Sequence, residues 1–234
     1  MNQRKLRQKD IENLSCFFYN DSNSLLATAF FNLPLILKRH CVQVGAVAGL
    51  MARQAPDSMI SSKDLTRDEY ANAVRYGSLY HDIGAALVFN QRGMYPIAGS
   101  RFLEEEISKD QVDPAARQVI IETVHSFRER YDGQGGPDKL KGDEIPLHAG
   151  ICAIANAIDK YMTSAPRLFV SSAFEVKNMV SQGSGREFPP AAAASFLAVD
   201  KDIEYLYQHW RQAPPFWKND DIKPLDRPID QEIG

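Results

Sequence analysis

The sequence predicts an all-α fold, and three observations carry that prediction. Apolar residues recur at three- and four-residue spacing through most of the chain. No stretch alternates apolar and polar residues over the length a strand needs. Prolines and capping residues stand where the periodic stretches begin, which is where helices need them.

The elements follow in order. Pro34 suits the first position of a helix over "PLILKRHCVQVGAVAGLMARQ". Ile36, His40, Val44, Val47 and Met51 then share one face, expected to point inward. Thr66 and Glu69 form a capping-box pattern for a helix through "YANAVRYGSLYHDI", expected to stop at Gly84 as a C-cap. "MYPIAGSRFLEEEI" is helical after Pro96, and Asp113 with Pro114 starts a helix carrying "AARQVIIETVHSF". "RYDGQGGPDKLKGDEIP" holds four glycines and two prolines, which makes it a loop. Pro146 opens "PLHAGICAIANAIDKYMTS", and two or three more helices lie in "SSAFEVKNMVSQG" and "AAAASFLAVDKDIEYLYQHWRQ". The tail from Pro214 has a proline every few residues and is expected to be extended.

Length and composition bound the function. The 234 residues fit one domain or two small ones, and 44% hydrophobic residues suffice for a sizeable core. A net charge of −3 and a pI near 6.0 argue against a nucleic-acid footprint, which needs a basic face. Cys16, Cys41 and Cys152 are odd in number and lack ligand spacing, as in a reducing compartment. The basic start lacks a signal-peptide apolar core, and "LLATAFFNLPLIL" is interrupted by Asn32 and Pro34 and falls short of a membrane span. The expectation is a soluble cytoplasmic protein.

Candidate chemistry centres on "SLYHDIG" at 78–84, where His81 and Asp82 end an apolar helix. A histidine there also compensates the helix dipole with no further role. His40 and His125 sit on apolar helix faces, where each alone reads as a core histidine. Three such histidines on three helices, joined by an aspartate, form the donor set of a transition-metal centre. A paired centre lowers the pKa of bound water and clamps an in-line phosphoryl displacement.

Several motifs resemble one family. "HDIG", "ERYDGQGGPDKLKGDEIPL", "AIANAIDKYMTS" and "GSGREFPPAAAASFL" match, in order, the HD-GYP branch of the HD superfamily, from about residue 34 to about residue 200. The resemblance implies a helical bundle holding two or three metals, usually iron or manganese, and hydrolysis of cyclic di-GMP. It implies an N-terminal helical extension over 1–33, the HD-GYP-like domain over 34–200, and a C-terminal helix with a proline-rich tail over 201–234.

By that resemblance His40 is the first metal ligand, and His81 with Asp82 is the central pair, Asp82 being also the catalytic candidate. Elsewhere the chain departs from the pattern. Ala85 stands for a phosphate-contacting lysine, Tyr95 for a histidine before proline, and Gly136 for the tyrosine of GYP. Phe127 and Arg128 take the place of a histidine pair in an ungapped alignment; a two-residue shift would bring His125 into the site instead. Asn156 replaces the closing aspartate, while Asp159 is shared with the family and keeps a structural role. The resulting ligand set, His40, His81, Asp82, His125 and Asn156, suits one ion better than two. Arg167 lies near a position that contacts ligand phosphate.

Other residues take structural readings: His148 structural or exposed, Cys152 a buried thiol, Glu122 and Glu129 solvated charges. Tyr205, Tyr207, Trp210 and Trp217 dock the C-terminal helix on the bundle or a partner. Three functions stay open: a catalytically weak or inactive binding module, a working metal-dependent phosphohydrolase with a remodelled site, and a partner protein that keeps only the fold. The partners implied are a cyclic dinucleotide or other phosphate ligand, and a protein partner or second copy.

Overall fold

Capping chemistry and proline placement set the helix starts. Thr66 forms the expected capping box: its side chain accepts from the Glu69 amide while Glu69 accepts from the Thr66 amide. Asp113 accepts from the amides of Ala115 and Ala116 ahead of Pro114. The computed structural model describes residues 25–60, 64–88, 92–107, 112–164 and 173–212. Among these stand nine helices: α1 Leu25–Phe31, α2 Leu35–Ala52, α3 Arg67–Leu79, α4 Tyr95–Glu106, α5 Pro114–Ser126, α6 Leu147–Ser164, α7 Ala173–Gly183, α8 Pro190–Leu197 and α9 Asp200–Gln212. No strand occurs among the described residues beyond an isolated bridge between Ser184 and Phe188. The fold is all-α.

Helix α2 is the axis of the bundle, packed on α3 and α6. Every residue from Gln43 to Ala52 is buried. By length and composition alone α2 could cross a membrane, but most of it is enclosed by the other helices. Its first turn projects beyond them, so Ile36 is 80% exposed and does not share the inward face expected for it. His40 sits where the helix passes from solvent into the core. One apolar cluster runs from Leu26 and Phe30 on α1 to Leu206 and Tyr207 on α9, continuous across 33/34 and 200/201.

Helix α3 ends earlier than the sequence suggests. It stops at Leu79, and His81 and Asp82 occupy a turn that leads into a 3-10 segment, Ile83–Ala86. Gly84 is no C-cap: a Cβ there would lie 2.1 Å from the Tyr95 carbonyl oxygen. Only glycine lets this turn pass under the start of α4, and that approach aims His81 and Asp82 inward. Arg167, Trp217, Cys16 and the tail from Pro214 lie outside the described residues.

Close approach also joins α3 to α5. A Cβ on Gly77 would meet the Thr123 Cβ at 2.6 Å and the Ile120 carbonyl at 2.9 Å. Gly77→Ala should therefore cost about 1–3 kcal/mol as overpacking. Thermal unfolding followed by circular dichroism checks this; an unchanged midpoint would mean that the two helices separate without penalty.

Candidate metal centre

Two helices and a turn bring the donors together. His40 comes from α2, His81 and Asp82 from the turn after α3, Asn156 from α6. One ligand atom each from His40, His81 and Asp82 lies within 4.8 Å of the others. His81 Nε2 is 3.3 Å and His40 Nε2 3.9 Å from Asp82 Oδ2. Donors around an ion at about 2.1 Å stand about 3–4 Å apart, so these separations fit one first-row metal.

Tautomers sharpen the point. His81 is fully buried and its Nδ1 is 2.7 Å from the Ser78 carbonyl, which can only accept. Nδ1 therefore carries a proton, and Nε2 is the atom left to meet a cation or a second proton. That Nε2 is buried and makes no hydrogen bond of acceptable angle. It faces a carboxylate oxygen, and two electron-rich atoms do not face each other at this range without a proton or cation between them.

His40 is oriented in the same way. Its Nδ1 donates to Asp159 Oδ2 at 2.7 Å, and Tyr207 donates to Asp159 Oδ1 at 2.7 Å. Carboxylate support of this kind fixes a ligating histidine and raises its basicity. His40 Nε2 then turns to Asn156 Oδ1 at 3.1 Å. Amide orientation is assigned from its surroundings. Turned one way the amide donates to His40; turned the other, its oxygen joins a cation's shell. Asp159→Asn should weaken Mn2+ binding about 10- to 100-fold through the loss of this support, as calorimetric titration would show.

Burial alone would raise the Asp82 carboxyl, but His81, then Arg128 and His40, hold it well below the usual carboxylate range. Asp82 is thus an anion at any ordinary pH, as a ligand must be. Nearby thiols are not ligands of the same kind. Burial pushes Cys41 far up and Cys152 up to about 12, so both stay protonated.

Phe127 and Arg128 line the centre, as the ungapped alignment has them. The Phe127 ring stands edge-on to His81 with centroids 4.9 Å apart. Arg128 Nη2 lies 3.4 Å from Asp82 Oδ1, and its guanidinium carbon is 5.5 Å from the Tyr95 ring centroid. His125 is not in the cluster, which corrects the expectation for it. Phe127 is two residues and about 200° round from His125, and Arg128 lies past the helix end at Ser126, so both reach the turn while His125 faces α4. Its Nδ1 is 3.0 Å from Ser100 Oγ and its Nε2 2.8 Å from Asp138 Oδ2.

The carboxylates read as solvated charges also differ. Glu129 is buried and accepts from the Asp138 amide, pinning the glycine-rich loop. Glu122 pairs with the buried His148 at 3.0 Å, which gives His148 a structural place. Sequence reasoning missed Tyr207 as the support of Asp159 and Arg128 as the partner of Asp82. A carboxylate one turn beyond Asn156 was a visible signal for Asp159; nothing local pointed to a tyrosine 48 residues away.

Known proteins resemble this chain over the same region. A family profile described as an HD domain matches residues 59–175, half of the chain. That span holds His81, Asp82, Arg128 and Asn156 but begins after His40. A cyclic di-GMP phosphodiesterase of Thermotoga maritima is 25% identical over 181 residues, 73% of this chain and 46% of the relative. A cyclic di-GMP phosphodiesterase of Vibrio cholerae is 30% identical over 95 residues, 41% of this chain and 19% of the relative. A 3'3'-cGAMP-specific phosphodiesterase 2 of the same organism is 29% identical over 93 residues, 40% and 16%. The chain spans less than half the length of these relatives.

Proposed function

We propose that this chain, which belongs to the HD-domain family, holds one divalent cation at His40, His81 and Asp82 and binds a cyclic dinucleotide beside it, with weak or no hydrolysis of cyclic di-GMP. The carrying observation is the convergence of the two histidine Nε2 atoms, each ring held by a hydrogen bond at its own Nδ1, on one oxygen of a buried aspartate.

The residues present fit such an ion. Two neutral imidazoles and a carboxylate suit iron or manganese, with Asn156 as a neutral fourth donor. When bound, the ion would polarise a phosphoryl oxygen and acidify a water. The protein's own contribution is to fix the donors: Ser78 and Asp159 set the histidine tautomers, and Tyr207 sets Asp159. Phe127, only 2% exposed, excludes water from one side of His81.

Weak turnover follows from what faces the other oxygen of Asp82. A second ion beside Asp82 would need further anionic charge there, and Arg128 instead puts a positive charge 3.4 Å from Asp82 Oδ1. Asn156 brings no negative charge to offset a second ion. Ligand identity is argued from the relatives, whose names give cyclic di-GMP and 3'3'-cGAMP as substrates. Four protein donors would still leave positions open on an ion that takes six ligands, and that favours active hydrolysis by a remodelled site as the second reading. Calorimetric titration of the Mn2+-loaded protein with cyclic di-GMP tests the proposal. Saturable binding with little hydrolysis supports it; no binding overturns it.

A further inference from the structure

A chain of buried hydrogen bonds runs from the centre to the last described helix. His40 Nδ1 lies 2.7 Å from Asp159 Oδ2, and the Tyr207 hydroxyl donates to Asp159 Oδ1 at 2.7 Å. Asp159 is 1% exposed and Tyr207 3%. The three residues come from α2, α6 and α9. One carboxylate thus joins a candidate ligand to a helix that supplies none of the donors.

Helix α9 is held more lightly than the helices it reaches. It buries one seam, Ile203, Leu206 and Tyr207, while Lys201, Tyr205 and Gln208 are exposed. It packs on α7. The Lys177–Asp200 pair that ties its first turn to α7 joins side chains 49% and 22% exposed, and pairs so exposed hold weakly. Trp210 stands edge-on to Tyr207 with centroids 5.0 Å apart and keeps the phenol ring in place. Helices with few buried apolar residues open locally before the core does, whereas α2 and α6 lie in that core.

Opening of α9 reaches the centre through Asp159. It withdraws the Tyr207 hydroxyl from Oδ1. The carboxylate is then free to turn to water, and the His40 ring loses the bond that aims its Nε2 at Asp82.

We infer that Tyr207 is a positioning residue of the metal centre and that α9 is its latch: docked α9 fixes Asp159, Asp159 aims His40, and an ion bound there holds α9 down in turn. This rests on the metal site proposed above and adds the element that controls it. Reciprocity sets the size of the effect. The factor by which docked α9 raises metal affinity is the factor by which bound metal disfavours the opening of α9.

Amide hydrogen exchange of α9, read by mass spectrometry in metal-free and Mn2+-loaded protein, tests this together with calorimetric titration of Mn2+. In the parent, saturating Mn2+ should slow exchange of α9 about tenfold, the scale on which outer partners support a ligating histidine. Tyr207→Phe keeps the ring against Trp210 and loses only the hydroxyl. Its Mn2+ affinity should fall about tenfold, and its α9 exchange should no longer respond to Mn2+. A merely structural tyrosine would quicken α9 exchange when replaced and leave Mn2+ affinity as it was. Parent-like Mn2+ affinity in Tyr207→Phe, with its circular dichroism spectrum intact, overturns the latch and leaves the metal proposal standing. So does α9 exchange in the parent that ignores saturating Mn2+, a result that needs no variant. A parent that takes no Mn2+ overturns both.

Discussion

Asp82→Ala should remove measurable Mn2+ binding, lowering affinity by more than about a hundredfold. Loss of a partner that merely supports a ligand costs about 10- to 100-fold, and Asp82 is proposed as a ligand itself, the one anion of its cluster. Without it, two neutral imidazoles and an amide face the ion, a set with no charge to offset the ion's dehydration. Stability should change less. The substitution leaves Arg128 without its carboxylate, but that arginine is a third exposed and hydrates readily, so about 1 kcal/mol is expected. Asp82→Asn keeps the volume and should lose binding nearly as fully. Calorimetric titration with Mn2+ decides this, and affinity within tenfold of the parent would remove Asp82 from the centre.

Turnover of cyclic di-GMP should run at least about a hundredfold below that of an HD-domain phosphodiesterase with a complete metal set. Asn156 lacks the charge of a carboxylate. Arg128 places a positive charge 3.4 Å from Asp82 Oδ1, where a second ion would be repelled. Phe127 places an apolar ring 4.9 Å from His81, where a ligand nitrogen would be needed. Ala85 supplies no cation. Residues that act as a unit lose most of their effect with the first removal, so these losses set a limit rather than multiply. Asn156→Asp alone should recover little, because Arg128 and Phe127 stay in place. The assay supplies iron and manganese under reducing conditions. Turnover matching a complete enzyme would favour the remodelled hydrolase.

Much of this architecture is legible in the sequence because it is locally encoded. Thr66 with Glu69 and Asp113 with Pro114 are short-range signals, and the structure uses both as expected. Failures occur where a distant contact decides. Gly84 has the spacing of a C-cap, but its reason for being glycine is the Tyr95 carbonyl, eleven positions along the chain. Ile36 has the right period for the inward face, yet among the described residues nothing covers its side chain, which is 80% exposed. His125 also fits the apolar period of its helix, and it faces α4, where Ser100 Oγ lies 3.0 Å from its Nδ1. Glu129 resembles any surface carboxylate until the loop folds back and presents the Asp138 amide to it. Arg128 is the sharpest case. In the sequence it is only a missing histidine; in the fold it is a cation against Asp82.

Metal content of the protein purified without chelator tests the central claim most directly. Elemental analysis should find close to one iron or manganese per chain, and His81→Ala, which removes a fully buried donor, should come out empty while still helical. Two ions per chain, or none above trace even after incubation with Mn2+ or Fe2+ under reducing conditions, would contradict the account.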